Sequence, residues 1–139
     1  MHSIEPMNRI ASIAVVVFGL LLVAFTMVAI VNPALARRFL MAFASSARTH
    51  YAEQVARLVV GAALIMAAHT MWLSKIFWLV GWAIVVSSAV LICIPWQWHH
   101  QFGERIRPMF SRYLWLYVAG AFIFGLLLLY GVLVDGRAA

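Results

Sequence analysis

Four apolar runs, each of about 19 to 22 residues, follow one another along a chain of 139 residues. They cover residues 10–31, 55–73, 76–94 and 113–134, and none carries the polar stripe that the wet side of a soluble helix needs. Each is long enough to cross a hydrocarbon core of about 30 Å. With 66% hydrophobic and 10% charged residues, the composition excludes an ordinary soluble domain. The pattern predicts an all-α membrane protein with four transmembrane helices and no separate extramembrane domain.

The chain also reads as an internal repeat, because residues 17–33 align without a gap on residues 79–95. The alignment pairs Gly19 with Gly81, Thr26 with Ser88 and Pro33 with Pro95. A polar or basic pair, an amphipathic stretch and a second apolar run follow each proline. We therefore expect two transmembrane hairpins, residues 1–73 and 74–139, in one four-helix bundle. Since each hairpin enters and leaves on the same side, the repeat is a parallel one.

The two long connections are predicted to contain short helices. Apolar residues recur every fourth position, at 35, 39 and 43 and again at 98, 102 and 106, with arginines off that line. Such helices lie in the membrane interface. Pro33 and Pro95 should end the first and third spans. Spans two and three are joined by so few residues that they must be antiparallel neighbours.

Local signals mark where the second and fourth spans begin. Thr49 is predicted to cap the second span, and Glu53 with Arg57 has the i, i+4 spacing of a helical ion pair. Pro108 suits the opening turn of the last helix.

The cations are unevenly distributed around the spans. Seven lie in or beside the two long connections, namely Arg37, Arg38, Arg48, Arg57, Arg105, Arg107 and Arg112, and three lie on the other side, namely Arg9, Lys75 and Arg137. This bias predicts cytoplasmic connections, with both termini outside. It also accounts for the net charge of +6 without a nucleic-acid partner.

The arginines of the connections are the candidate binding residues for lipid. Six of them, Arg37, Arg38, Arg48, Arg105, Arg107 and Arg112, would form a cationic collar that attracts anionic lipids such as cardiolipin or phosphatidylglycerol. The simpler interpretation is that these arginines only set the topology. Small residues spaced four apart indicate close helix packing, within the chain or against other subunits or copies. They are Ala63 and Ala67, Ala83 and Ser87, and Ala121 and Gly125.

Residues that could carry chemistry are few. The four acids, Glu5, Glu53, Glu104 and Asp135, lie near span ends or outside them, which disfavours proton-coupled exporters. No nucleophile, phosphate-loop or zinc motif is present, so we expect neither an enzyme nor a cofactor. His50, His99 and His100 form a possible site at the cytoplasmic interface, although simple interfacial histidines explain them more economically. His69 lacks a second histidine at its depth, which argues against haem.

Each half resembles the YjeT-type small bacterial inner-membrane proteins, which are two-helix chains of unknown function. The residues that carry the resemblance are Pro33, Arg37-Arg38-Phe39 and Arg57-Leu58-Val59-Val60-Gly61, within residues 17–68. The second half keeps Pro95 and Gly120, whereas His99-His100 replaces the arginine pair and Leu116 replaces Arg57. The resemblance implies a bacterial inner membrane and no particular activity.

Three function classes follow. The first is a non-catalytic accessory or scaffolding subunit of a bacterial inner-membrane complex. The second is a small homo-oligomeric transporter or channel lined by Thr26, Ser87, Ser88 and His69. The third is a lipid enzyme that uses the interfacial histidines. The absence of a polar route through the spans favours the first.

Overall fold

A computed structural model describes residues 4–42 and 46–134 of the chain. The helices are α1 (Ile4–Val31), α2 (Pro33–Ala42), α3 (Ala47–Ala67), α4 (Ser74–Cys93), α5 (Trp96–Arg112) and α6 (Leu114–Leu133), and a 3₁₀ turn, Ala68–Thr70, extends α3. These residues contain no strand. Four segments are long and apolar enough to cross a membrane: Met7–Val31, Ala47–Thr70, Ser74–Cys93 and Leu114–Leu133. The predicted all-α, multi-pass membrane protein is confirmed.

Proline ends the first and third spans as predicted. The helix α1 stops at Val31, and Pro33 opens α2, where its missing N–H is not needed. The side-chain oxygen of Asn32 accepts the backbone N–H of Leu35 at 3.0 Å and so caps α2. The helix α4 likewise stops at Cys93, two residues before Pro95. Both long connections are therefore helical, with 10 residues in α2 and 17 in α5.

Two predicted helix starts are wrong. The second span is capped by Ser46 rather than Thr49, because the Ser46 hydroxyl accepts the Thr49 N–H at 3.3 Å while the Thr49 hydroxyl accepts the Ser46 N–H at 3.2 Å. This capping box satisfies two backbone donors at once. Pro108 lies inside α5, which continues to Arg112. The last span begins after Tyr113 instead. The predicted Glu53–Arg57 ion pair is present at 3.4 Å.

The spans pack mainly as two antiparallel pairs. The helix α3 lies along α4, as predicted, α1 lies along α6, and α1 also contacts α3. We call the side where residues 71–73 join α3 to α4 the turn end, and the side that carries α2 and α5 the connection end. The side-chain amide of Asn8 and Nε2 of His69 meet at 3.1 Å at the turn end.

Glycine sets the closest approach in each pair. A Cβ atom on Gly61 would lie 3.0 Å from the carbonyl oxygen of Gly81, and a Cβ on Gly81 would lie 3.0 Å from the carbonyl oxygen of Gly61. Gly19 and Gly125 stand in the same reciprocal relation, at 3.2 Å and 3.0 Å. Only residues without side chains let two helix backbones approach this closely. We call these the Gly61–Gly81 and Gly19–Gly125 crossings.

The apolar core lies towards the turn end and draws on all four spans. Its most buried side chains include Val15, Leu64, Met71, Phe77 and Leu128. A second apolar cluster lies at the connection end of the other pair, where Ala29, Ala36, Leu114 and Val118 join α1, α2 and α6. At the connection end of α3 and α4 the buried side chains include polar ones.

Candidate functional site

Three buried polar side chains lie together at the connection end of the α3–α4 pair. His50 is 1% exposed, and Gln54 and Ser88 are 0% exposed. Gln54 precedes Gly61 by seven residues and Ser88 follows Gly81 by seven. Since seven residues make nearly two helical turns, both side chains lie on the faces that meet at the crossing, about 10 Å further along. We call these three residues the buried polar cluster.

His50 has a structural role that Pro95 explains. In a continuous helix the carbonyl of Leu91 would accept the N–H of residue 95, which proline lacks. Nε2 of His50 lies 3.2 Å from that carbonyl oxygen. A carbonyl oxygen can only accept, so the Nε2 atom of His50 carries the proton and donates it. The histidine of α3 thus satisfies the carbonyl group that the proline of the neighbouring helix leaves without its usual donor.

Gln54 and Ser88 have no such explanation within the part of the chain that the structure describes. Neither side-chain atom of the Gln54 amide has a hydrogen-bond partner in the structure, and neither has the hydroxyl oxygen of Ser88. The hydroxyl groups of Thr26 and Ser87 each bond to a carbonyl of their own helix, and that of Ser87 does so to Ile84 at 3.0 Å. A buried amide without partners costs several kcal/mol on the scale of transfer to apolar solvent, roughly 4–8. Buried polar groups of this kind are expected to have a hydrogen-bond partner.

The α1–α6 pair provides a direct comparison. Thr26 follows Gly19 by seven residues and Val118 precedes Gly125 by seven, so they stand where Ser88 and Gln54 stand in the other pair. The hydroxyl of Thr26 is satisfied by the carbonyl oxygens of Leu22 at 3.0 Å and of Val118 at 3.4 Å. Leu114 occupies the place of His50, eleven residues before the crossing glycine. At these three positions the α1–α6 pair carries one polar side chain, which has hydrogen-bond partners, whereas the α3–α4 pair carries three.

The predicted interfacial histidine group is only partly described. His50 is buried against α4, while His100 is half-buried, with its ring 6.1 Å from that of Trp96. The side chain of His99 lies outside the description. Among the residues that the structure describes, no group of three or more His, Cys, Asp or Glu side chains could hold a metal ion.

The predicted lipid-binding arginines are surface residues. Arg37, Arg38, Arg48, Arg105 and Arg112 are exposed, and the side chain of Arg107 is not described. On α2, Leu35 and Phe39 are also exposed, while Ala36 is buried against α1 and α6. On α5, Trp98 and Phe102 are exposed. Both connection helices thus combine outward arginines with outward apolar side chains, as helices at a membrane surface do.

A groove of about 490 Å³ opens at the turn end. Its walls are Ile65, Ala68, His69, Ser74, Lys75, Trp78 and Leu79. Lys75 and His69 lie at its exposed rim, and His69 is held by Asn8. Of the three cations predicted on this side, Arg9 and Lys75 are exposed, whereas Arg137 lies outside the described residues, as does Asp135.

Sequence reasoning missed Gln54 for an identifiable reason. The polar pair Glu53 and Arg57 lowers the local hydropathy, so the apolar run begins only at residue 55 and Gln54 falls in the polar first turns that follow the predicted Thr49 cap. The helix begins eight residues earlier, at Ala47. The useful signal was the heptad spacing of Gln54 to Gly61, which puts the amide on the packed face.

No protein-family model, curated protein or solved structure matches this chain. The resemblance to YjeT-type proteins therefore stays a prediction.

Proposed function

We propose that the chain is a non-catalytic accessory or scaffolding subunit of a bacterial inner-membrane complex. The observation that carries the proposal is the small share of each span that the chain itself covers, between 17% and 33% of the most apolar window. Large side chains such as Leu21, Val86 and Leu116 point away from the chain. These outward faces are available to other membrane subunits.

The alternative is a small homo-oligomeric transporter or channel, which needs a polar lining. The hydroxyls that could line a pore between copies face inward instead: Thr26 bonds to the neighbouring α6, and Ser88 is fully buried. Ser87 bonds to its own helix. The core at the turn end is apolar. These contacts favour the accessory subunit over a pore.

Photo-cross-linking in native membranes tests the proposal. A photoreactive amino acid at Val86 or Leu116, both on outward faces, should link the chain to a different polypeptide. The same group at Leu64, which is buried in the core, is the matched control and should give no intermolecular product.

We also propose that both connections face the cytoplasm and both termini the periplasm. The support is the seven-to-three distribution of cations along the sequence. In intact cells, a thiol reagent that cannot cross the membrane should label a cysteine introduced at position 75, in a chain that also carries Cys93→Ala. Protection of position 75 would reverse the orientation.

A further part of the proposal is that the exposed arginines of α2 and α5 bind anionic phospholipid. Arg37 and Arg38 are the best placed, since Leu35 and Phe39 beside them are exposed and can enter the acyl region. Each arginine near an anionic surface contributes about 1 kcal/mol.

The double variant Arg37→Ala/Arg38→Ala should retain less phosphatidylglycerol through purification in mild detergent, because about 2 kcal/mol of headgroup attraction is lost. Mass spectrometry of the bound lipid measures this. The control is Arg9→Ala/Lys75→Ala, which removes the same charge at the turn end. Unchanged lipid in the first variant would leave the arginines with a topological role only.

A further inference from the structure

The buried polar cluster offers more hydrogen-bonding groups than the protein satisfies. Gln54 presents two amide donors and a carbonyl acceptor, and Ser88 presents a hydroxyl group that can donate and accept. All are fully buried, and none has a partner in the structure. Two facing helices therefore present unpartnered donors and acceptors at the same depth.

We propose that Gln54 and Ser88 form a binding site for water between α3 and α4. The ligand must be small, because α3 and α4 are in contact one turn away, where His50 meets Leu91, and two turns away, at the Gly61–Gly81 crossing. It must also both donate and accept hydrogen bonds. The ligand must also be uncharged, because the buried polar residues that the structure describes include no aspartate, glutamate, lysine or arginine. Water meets all three requirements and commonly bonds to buried polar groups that the protein leaves unsatisfied.

The site is a dead end rather than part of a path through the membrane. Beyond Gln54 and Ser88 towards the turn end, residues 58–67 of α3 and 76–86 of α4 carry no hydroxyl, amide or charged side chain. The Gly61–Gly81 crossing then brings the two backbones together. Water can therefore reach the cluster from the connection end only.

The comparison with the α1–α6 pair supports a dedicated site. At the matching positions that pair holds Thr26, whose hydroxyl is satisfied by two carbonyls, and Val118, which needs no partner. Leu114 replaces His50. Close packing of a glycine crossing thus does not require a buried amide or an unpartnered hydroxyl, and the α3–α4 pair carries both.

Solid-state NMR of the full chain in bilayers of phosphatidylethanolamine and phosphatidylglycerol tests the site. The chain has three glutamines, Gln54, Gln97 and Gln101, so ¹⁵N labelling of glutamine side chains gives a small set of signals, and ¹³C labelling of alanine methyl groups makes Ala63 and Ala67 observable. Gln97 and Gln101 are exposed and serve as internal standards for contact with water. We expect magnetisation transfer from water to the Gln54 amide as well, and none to the buried methyl groups of Ala63 and Ala67.

Substitutions of the adjacent serines give a matched pair. Ser88→Val should abolish the transfer from water to Gln54, because the larger apolar side chain fills the site. Ser87→Val should leave it unchanged, since the Ser87 hydroxyl is already bonded to Ile84. If Ser88→Val does not fold, the wild-type spectrum still shows whether water contacts the Gln54 amide. Transfer to Gln97 and Gln101 but not to Gln54 would overturn the water site, and transfer to Ala63 or Ala67 would overturn the dead end.

Discussion

Gly81→Leu is expected to lower the free energy of unfolding by about 3 kcal/mol. Even the Cβ atom of the new side chain would lie 3.0 Å from the Gly61 carbonyl oxygen and from the backbone nitrogen of Ile65. Backbone atoms cannot rotate out of the way, so α3 and α4 must separate. The gain in helix propensity on replacing glycine, about 1 kcal/mol, does not offset this. Unfolding in mixed micelles with increasing SDS measures the change.

Gly120 is the matched control on α6. A Cβ atom there would meet nothing within 4 Å, so Gly120→Leu should not lower the unfolding free energy, and the gain in helix propensity should raise it by up to about 1 kcal/mol. Gly125→Leu, at the Gly19–Gly125 crossing, should behave like Gly81→Leu. A tolerated leucine at position 81 would contradict the close approach of the two backbones.

His50→Leu is expected to lower the unfolding free energy by about 2 kcal/mol, because it leaves the part-buried carbonyl of Leu91 without a donor. Pro95→Ala restores the N–H that this carbonyl would otherwise accept. In the Pro95→Ala background the same histidine substitution should cost about 1 kcal/mol less. A double-mutant cycle measures the coupling.

His69→Leu is the control for removal of an imidazole, since its partner Asn8 and the ring itself lie near the surface. It should cost less than about 0.5 kcal/mol in either background. Should His50→Leu cost the same with and without Pro95, the ring would not be compensating for the proline.

Much of the fold could be predicted because it depends on properties of individual residues, such as their hydropathy and their ability to donate a backbone hydrogen bond. Apolar length predicts the spans, and proline at positions 33 and 95 ends two of them because it lacks an N–H. The cap of α3 was missed by one turn, since Ser46 and Thr49 are both good caps and only the reciprocal bonding distinguishes them. The sequence predicted Pro108 in the first turn of the last helix, but it lies inside α5. An exposed proline can remain inside a helix.

Helix partners could not be predicted with the same certainty. Of the small residues spaced four apart, Ala63 and Ala67 are buried and Gly125 lies at a crossing, whereas Ala83 is exposed. The spacing did not point to Gly19, Gly61 or Gly81, where the other close contacts fall. Every apolar helix offers several small residues, and which of them meet depends on the partner's shape at the same depth. The buried polar cluster was hidden for a related reason, since His50 and Gln54 look interfacial until α3 is known to pack against α4 at that depth.

The most direct test of the proposed function is the mass of the products cross-linked from Val86 and Leu116 in native membranes. A scaffolding subunit predicts a product that contains one copy of this chain and a different membrane polypeptide, formed from the outward positions and not from Leu64. Products of twice the chain's own mass, with no other protein present, would contradict it and favour the homo-oligomeric alternative.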